Sequence, residues 1–494
     1  MSLPMYANLL IYDVGSTYTK VSAFAMTETS LSFAGRHQVP TTVEDIQAGI
    51  ALADHALEDQ GVVLASQCRR LASSSAAGGL RMVAMGYMPR VTAKAAKEVS
   101  MSAGARVLEI VTHEDPPEYR IQILKEIRPD IILLAGGTDG GDRDNLLENA
   151  RHIVAAAIQA VVVIAGNSDA QQDVQEILDA AGIASKRVAN VMPTIHELKV
   201  KGAREAIHEQ FIKQITFAKG LKKLVDMVSG GVVLPTPGAI LMAAELLACG
   251  TPEEEGVGDL LVIDIGGATT DIHSILPSFE KLSIEEKGLI VTNEKQTSYR
   301  TVEGNLGLRI SATGIVEVVG PAGILARVGV EGERLERELA EYARFLEQHP
   351  GHIATAEQEL MFDRGLAIAA IEVALKRHAG FLARDYNPVM GIAPGTPIGR
   401  DLRGVTTVIA VGGIFAHSSA ADSFSLVREA MKNRQISLLP EHYKLLFDTS
   451  YLLYGIGVLS QHTPQRALRF AKAYFNFSST STLTPEKRGI DSFT

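Results

Sequence analysis

Two stretches of this chain repeat one design. Leu10-Ile11-Tyr12-Asp13-Val14-Gly15-Ser16-Thr17-Tyr18-Thr19-Lys20 is an apolar run that ends in an Asp, a glycine and hydroxyl residues. Leu260-Leu261-Val262-Ile263-Asp264-Ile265-Gly266-Gly267-Ala268-Thr269-Thr270-Asp271 does the same much further along. The apolar runs are long enough to be buried strands, and glycine at the turn lets backbone N–H groups close around an anion. One copy is a weak signal. Two copies, each opening one half of a 494-residue chain, predict related lobes with a phosphate-bearing ligand in the cleft between them.

The length allows two or more domains with separate cores, and 46% apolar with 21% charged residues is ordinary for a soluble globular chain. A net charge of −10 with no Lys/Arg cluster argues against nucleic acid as a partner. Two cysteines, Cys68 and Cys249, are too few for a disulfide framework or a Cys-based zinc site. No basic segment with an apolar region behind it opens the chain, and no run of about 18 apolar residues occurs, so membrane spanning and secretion are not expected. The expected compartment is the cytoplasm.

The rest of the chain reads as α/β. Residues 7–35 suggest strands around the first glycine loop, and 43–60 a helix with Ile46, Ile50, Ala53 and Leu57 at helical spacing. A strand at 68–72 leads to the small-residue turn Ser73-Ser74-Ser75-Ala76-Ala77-Gly78-Gly79, and 91–103 is helix-like. From 106 to 192 strands (106–111, 131–134, 160–164, 187–191) alternate with helices (116–127, 143–157, 169–181), which predicts a parallel sheet with helical crossovers. Its turn Ala135-Gly136-Gly137-Thr138-Asp139-Gly140-Gly141-Asp142 is either a tight connection or a second contact site. Later come an apolar helix at 239–248, charged and apolar helices at 331–349 and 361–382, the strand Thr406-Thr407-Val408-Ile409-Ala410-Val411 ending in Gly412-Gly413, and an apolar helix at 451–459. Expected units are 1–105 as the first part of lobe I, 106–228 as an insert with a helical segment, 229–258 as the end of lobe I, 259–460 as lobe II and 461–494 as a tail.

Glycines Gly15, Gly266 and Gly267 allow close approach to oxygen atoms, and Ser16, Thr17, Thr269 and Thr270 can donate to them. Asp13, Asp264 and Asp271 would be repelled by phosphate unless compensated, which makes Mg²⁺ their natural partner and Asp13 and Asp264 its candidate ligands. Lys20 either neutralises phosphate or is an ordinary surface lysine. Neither stretch contains Gly-x-x-x-x-Gly-Lys-Ser/Thr or Gly-x-Gly-x-x-Gly, so a P-loop and a dinucleotide fingerprint are both excluded there. His196, His208 and His273 lack metal-ligand spacing. Arg466, Arg469 and Lys472 beside Tyr474 and Phe475 suggest either a partner contact or a capping helix.

In order along the chain, Asp13-x-Gly15-Ser16-Thr17-x-Thr19-Lys20, Pro235-Thr236-Pro237-Gly238-Ala239, Asp264-x-Gly266-Gly267-x-Thr269-x-Asp271, Val411-Gly412-Gly413 and Tyr454-Gly455-Ile456-Gly457 resemble the first phosphate, first connecting, second phosphate, adenosine and second connecting motifs of the actin, sugar kinase and heat-shock chaperone ATPase superfamily. The resemblance covers most of the chain outside the insert. It implies two actin-like, ribonuclease H-like lobes around a Rossmann-like insert, with ATP or ADP and Mg²⁺ in the cleft and Gly412 and Gly413 at the adenosine. Within the superfamily, residues 133–149 and the second phosphate motif resemble the glutamate mutase L family, which is unrelated to the mismatch-repair protein of similar name. That resemblance implies a reactivating chaperone for adenosylcobalamin-dependent mutase subunits, such as those of methylaspartate mutase. One departure matters: heat-shock chaperones carry an acidic residue just before the connecting Pro-Thr, and here that residue is Leu234. Hydrolysis is therefore expected to be slow, or to rely on Asp13, Asp264 or Asp271 to orient water.

Three readings follow: an ATPase that remodels a partner protein, a small-molecule kinase, and an assembly protein that holds nucleotide structurally and forms homo-oligomers. The insert favours the first, because it offers a surface to a protein partner. A kinase predicts a distinctive polar substrate cluster, and none is evident. Cobalamin itself is not expected to bind, since the Asp-x-His-x-x-Gly signature is missing.

Overall fold

Period-two burial on both faces of the first strand organises the molecule. Leu10 and Tyr12 point into one core while Leu9 and Ile11 point into another, as a strand covered on both sides requires. This computed structural model describes residues 5–15, 18–42, 46–75, 80–89, 95, 99, 105–194, 199–200, 202–207, 209–210, 221–230, 233–278, 297–386 and 393–477. The helix expected at 91–103 and the last part of the tail lie largely or wholly outside them.

The chain opens with strands β1 (Met5–Val14), β2 (Tyr18–Met26) and β3 (Leu31–Pro40), helix α1 (Ile46–Asp59) and strand β4 (Val62–Ser74). Next come β5 (Leu80–Met85), β6 (Ala105–Val111), α2 (Pro117–Ile127), β7 (Ile131–Leu134), α3 (Asp144–Ala156), β8 (Val161–Ile164), α4 (Gln171–Ala180) and β9 (Ser185–Arg187). Strand β10 (Val233–Pro235) and helix α5 (Thr236–Cys249) lead to β11 (Leu260–Ile265), β12 (Thr270–Ile275) and β13 (Ser298–Glu303). Helices α6 (Glu333–Gln348) and α7 (Glu357–His378) precede β14 (Thr407–Val411), β15 (Lys444–Phe447), α8 (Leu453–Ser460) and α9 (Pro464–Tyr474).

Two sheets repeat one topology. In the first the order is β3-β2-β1-β4-β10, with β1, β2 and β3 antiparallel and β1, β4 and β10 parallel. In the second the order is β13-β12-β11-β14-β15, with the same senses at the same places. The fold is thus an α/β pair of actin-like, ribonuclease H-like lobes, and each glycine motif opens the hairpin between the first two strands of its lobe. Helices α5 and α8 cross in the seam, burying Leu241, Leu247, Ile456 and Leu459 with Leu9 and Ile11 of β1 and Leu260 and Val262 of β11. The crossing is close because of Gly457, where a Cβ would come within 1.7 Å of the Ala239 carbonyl oxygen.

The third large sheet is all parallel, in the order β6-β5-β7-β8-β9, and is the Rossmann-like insert. Helices α2, α3 and α4 cover one face through Leu124, Ile153 and Val174, while Met82, Ala84, Ile131 and Leu133 on the other face share the core of lobe I with Leu10 and α1. The sequence alternation begins at 106, yet the sheet also contains β5, an inner strand between β6 and β7 that begins six residues after the end of β4, so the alternation does not announce it. The last strand lies at Ser185–Arg187, short of the expected 187–191.

Helix α9 settles on the seam as a cap. Ala467, Leu468 and Ala471 are buried there, and Arg469 and Lys472 bond Glu254 at 3.1 and 3.0 Å. No helix among the described residues is long and apolar enough to cross a membrane.

Candidate functional site

The C-terminal ends of β1 and β11 meet across the seam, and the two lobes treat their leading Asp differently. On β1, Asp13 is in register with Lys20 of β2 and with Ser73 of β4. Its carboxylate accepts from Lys20 Nζ at 2.9 Å, Ser73 Oγ at 3.1 Å and Thr236 Oγ1 at 2.5 Å, the last from the first turn of α5. Asp13 is buried, and a cation and two hydroxyls satisfy it. The turn beyond it is closed by the Gly15 N–H donating to Tyr18 O at 3.0 Å and by Thr41 donating to Gly15 O at 2.9 Å. Ser16 and Thr17 lie outside the described residues.

On β11, Asp264 occupies the equivalent place, but its register partner on β12 is Asp271, a second carboxylate. Asp271 is buried and compensated by Arg300 of β13, whose Nε and Nη2 donate to it at 2.9 and 2.5 Å, and by Thr269 Oγ1 at 2.8 Å. Among the described residues nothing donates a hydrogen bond to Asp264. Burial and the Asp271 carboxylate, with a smaller push from Asp13, outweigh the pull of Lys20 and Arg300 and raise the Asp264 carboxyl from 3.8 to about 7. The cleft therefore holds one carboxylate that titrates near neutrality beside two that are matched.

Residues 306–310 brace the second glycine turn. Gly266 O accepts from Leu308 N at 3.0 Å and Gly267 O from Arg309 N and Ile310 N at 2.8 and 2.7 Å. Thr270 is buried and donates to Leu306 O at 2.6 Å, so its hydroxyl serves the turn from within. Gly412, with φ 137°, presses the loop after β14 onto the end of β11, and a Cβ there would lie 2.2 Å from Ile265 O. Gly413 follows directly and opens the short helix Gly413–His417, so both adenosine-motif glycines stand at the end of the strand beside Asp264. Leu234 is in register with Ser73 on β4 and is buried in the seam, leaving that position without an acid.

The donor set bears on Mg²⁺. No group of three His, Cys, Asp or Glu among the described residues could hold a metal. A cation arriving with a nucleotide needs only one or two carboxylates, because phosphates and water supply the rest. Asp264 fits such a cation, since no donor among the described residues reaches it and burial together with the Asp271 charge leaves its negative charge poorly offset. Asp13 already has both oxygens engaged.

Arg300, Ser73 and Thr236 complete the site, and none was assigned a site role from sequence. Thr236 sits inside the quoted Pro-Thr-Pro-Gly motif and was within reach; Ser73 and Arg300 become neighbours of the acids only through strand register. In the insert the glycine-rich turn is tied to the segments that follow β8 and β9, with Asp139 Oδ1 accepting from Ser168 N and Asn190 Nδ2, both at 2.9 Å, and Asn167 Nδ2 donating to Gly141 O at 3.0 Å.

Residues 9–475 match the family model described as MutL protein. The chain is similar to Protein MutL of Clostridium tetanomorphum, with 37% identity over 477 residues, 94% of this chain and 98% of that protein. Similar solved structures include a carbohydrate kinase from Novosphingobium aromaticivorans, 12% identical with a TM-score of 0.28 over 93% of this chain and 92% of that one. Another is the ethanolamine utilization protein EutJ from Carboxydothermus hydrogenoformans, 9% identical with a TM-score of 0.25 over 93% and 88%.

Proposed function

The chain belongs to the MutL protein family, and from that premise we propose that it is an ATP-binding, slowly ATP-hydrolysing accessory protein that reactivates an adenosylcobalamin-dependent mutase such as glutamate mutase. The observation that carries the reading is the unmatched Asp264 carboxylate between two otherwise compensated acids, at the point where two lobes of the same topology meet. Nucleotide phosphates would lie between the Gly15 and Gly266-Gly267 turns, with Lys20 as the cation of lobe I. Bound Mg²⁺ would rest on Asp264 and supply charge neutralisation for the phosphates.

The chain's own residues suggest how hydrolysis proceeds slowly. Leu234 cannot orient water, because it is apolar and buried. Asp264, the acid that no described donor engages, can orient an attacking water molecule, whereas Asp13 and Asp271 are committed to Lys20 and Arg300. Loss of the γ-phosphate would remove contacts that span the seam, and helices α5 and α8, which connect the lobes, would carry the change to the client.

The test is ATP binding and hydrolysis with Mg²⁺ in wild type, Asp13→Ala and Asp264→Ala, each with and without an inactivated adenosylcobalamin mutase from the same organism. The expected result is mutase-stimulated hydrolysis with renewed mutase activity, lost in both variants. Tight nucleotide binding without a mutase effect would favour a small-molecule kinase or an assembly protein. Absence of nucleotide binding would overturn the reading.

A further inference from the structure

One arginine at the cleft floor is left over by everything above. Arg36 lies on β3, in register with Ser22 of β2, on the same face as Lys20 and two residues along from it. It is half-buried, and among the described residues it has no carboxylate partner in an ion pair. Its guanidinium instead stands over the ring of Tyr451, 5.0 Å from the centroid, and Lys20 Nζ stands 4.8 Å from the centroid of the same ring. Two cations on one aromatic ring repel each other, and Lys20 has the paired Asp13 to offset that repulsion, whereas the carboxylate whose field Arg36 feels, Asp448, is already taken up by Leu452 N, Leu453 N and the Tyr474 hydroxyl.

Tyr451 is placed to connect the lobes. It follows β15 of lobe II and precedes α8, whose Tyr454 hydroxyl reaches Ile11 O of β1 at 3.2 Å. Its own hydroxyl sits so close to Gly413 that a Cβ there would be 3.0 Å away. Its backbone is left-handed, with φ 49°, which a tyrosine adopts only where the surroundings hold it. The ring therefore spans from the Gly412-Gly413 loop of lobe II to the two cations of lobe I.

We propose that Arg36 is a second polyphosphate-binding cation of the cleft, held ready on the Tyr451 ring, and that Tyr451 is its positioning residue. The inference rests on the proposed nucleotide site and extends it by one ligand group. An arriving polyphosphate gives Arg36 a directly paired anion, which Asp448, already engaged with Leu452, Leu453 and Tyr474, does not supply, and the guanidinium leaves or tilts on the ring to meet it. Because Tyr451 also touches the Gly413 loop, that movement is felt in lobe II.

Binding of ATP, ADP, adenosine and inorganic tripolyphosphate by calorimetry in wild type, Arg36→Gln, Arg36→Lys, Tyr451→Leu and Tyr451→Phe tests this. In Arg36→Gln, ATP and tripolyphosphate should bind roughly tenfold more weakly, with adenosine unchanged and a shallower salt dependence. Arg36→Lys should recover part of the loss. Tyr451→Leu should weaken the same ligands, and Tyr451→Phe, which keeps the ring, should restore them. Equal ATP affinity in Arg36→Gln and wild type overturns the proposal, as does an equal loss for adenosine, which would mark a structural role. If wild type binds tripolyphosphate but not ATP, and Arg36→Gln weakens that binding, the cation site stands while the nucleotide reading falls; if wild type binds neither, both fall.

Discussion

Replacing Asp264 by Asn removes a charge and keeps the shape, and the surroundings of this residue fix the sign of the effect. In the folded chain burial, Asp271 and Asp13 hold the carboxyl at about 7 against an ordinary 3.8. The folded state then keeps a proton that the unfolded chain releases, so the wild type loses stability as pH rises from about 4 to about 7 and loses no more above that. At about 1.4 kcal/mol per pH unit the full loss is about 4 kcal/mol, a ceiling for a group coupled to a second carboxylate. Urea unfolding followed by far-UV circular dichroism, at about pH 5 and about pH 8, should find the Asn variant gaining roughly 2–3 kcal/mol on the wild type between the two. The comparison must be made between the proteins. Buried His273, whose ring nitrogens have no hydrogen-bond partner among the described residues and whose proton affinity burial drives well down, adds stability as pH rises and so opposes the Asp264 trend in both. A wild-type minus variant difference that stays constant across this range would refute the assignment of the raised carboxyl to Asp264.

Two further changes probe the seam and the compensated acid. Arg300→Met strands the buried Asp271 carboxylate beside Asp264 and should cost about 3–5 kcal/mol in urea unfolding; a loss under about 1 kcal/mol would show that Asp271 does not depend on Arg300. Gly457→Ala drives a methyl into the Ala239 carbonyl and should lower stability by at least about 2 kcal/mol, whereas Gly351→Ala, where the added carbon meets open space, should be near neutral; equal effects would refute the close crossing of α5 and α8.

The parts of this fold that were legible are those governed by short-range rules. The runs before Asp13 and Asp264 are uniformly apolar because their strands are covered on both faces, and α1 was readable from Ile46, Ile50, Ala53 and Leu57 because all of them face one core. Most of the insert was legible because each strand alternates with a helix. Strand β5 was not, since residues 80–85 carry no periodic cue and gain their place by pairing with β6 and β7. The compensation of the acids was hidden for a different reason. Lys20 stands seven positions after Asp13 and Asp271 seven after Asp264, and only the hairpin register gives that spacing its meaning. Arg300 enters from a third strand and Tyr451 from the crossing between lobes, so no local pattern connects either to the glycine turns.

That shared spacing also bears on how a cleft built from two similar halves acquires a direction. At the same place in the same hairpin, lobe I has an Asp–Lys pair and lobe II an Asp–Asp pair. Lobe I is therefore close to electrically matched before any ligand arrives, and its three donors to Asp13 leave little for a cation to improve. Lobe II is not matched, because Arg300 compensates Asp271 and leaves Asp264 to hold a proton or a cation. An anionic ligand alone favours lobe I, where Lys20 and Arg36 lie, while a ligand that brings its own divalent cation favours both lobes at once. If the proposed site holds nucleotide, this electrostatic asymmetry predicts that nucleotide with its metal would draw the halves together, whereas either component alone would engage one half.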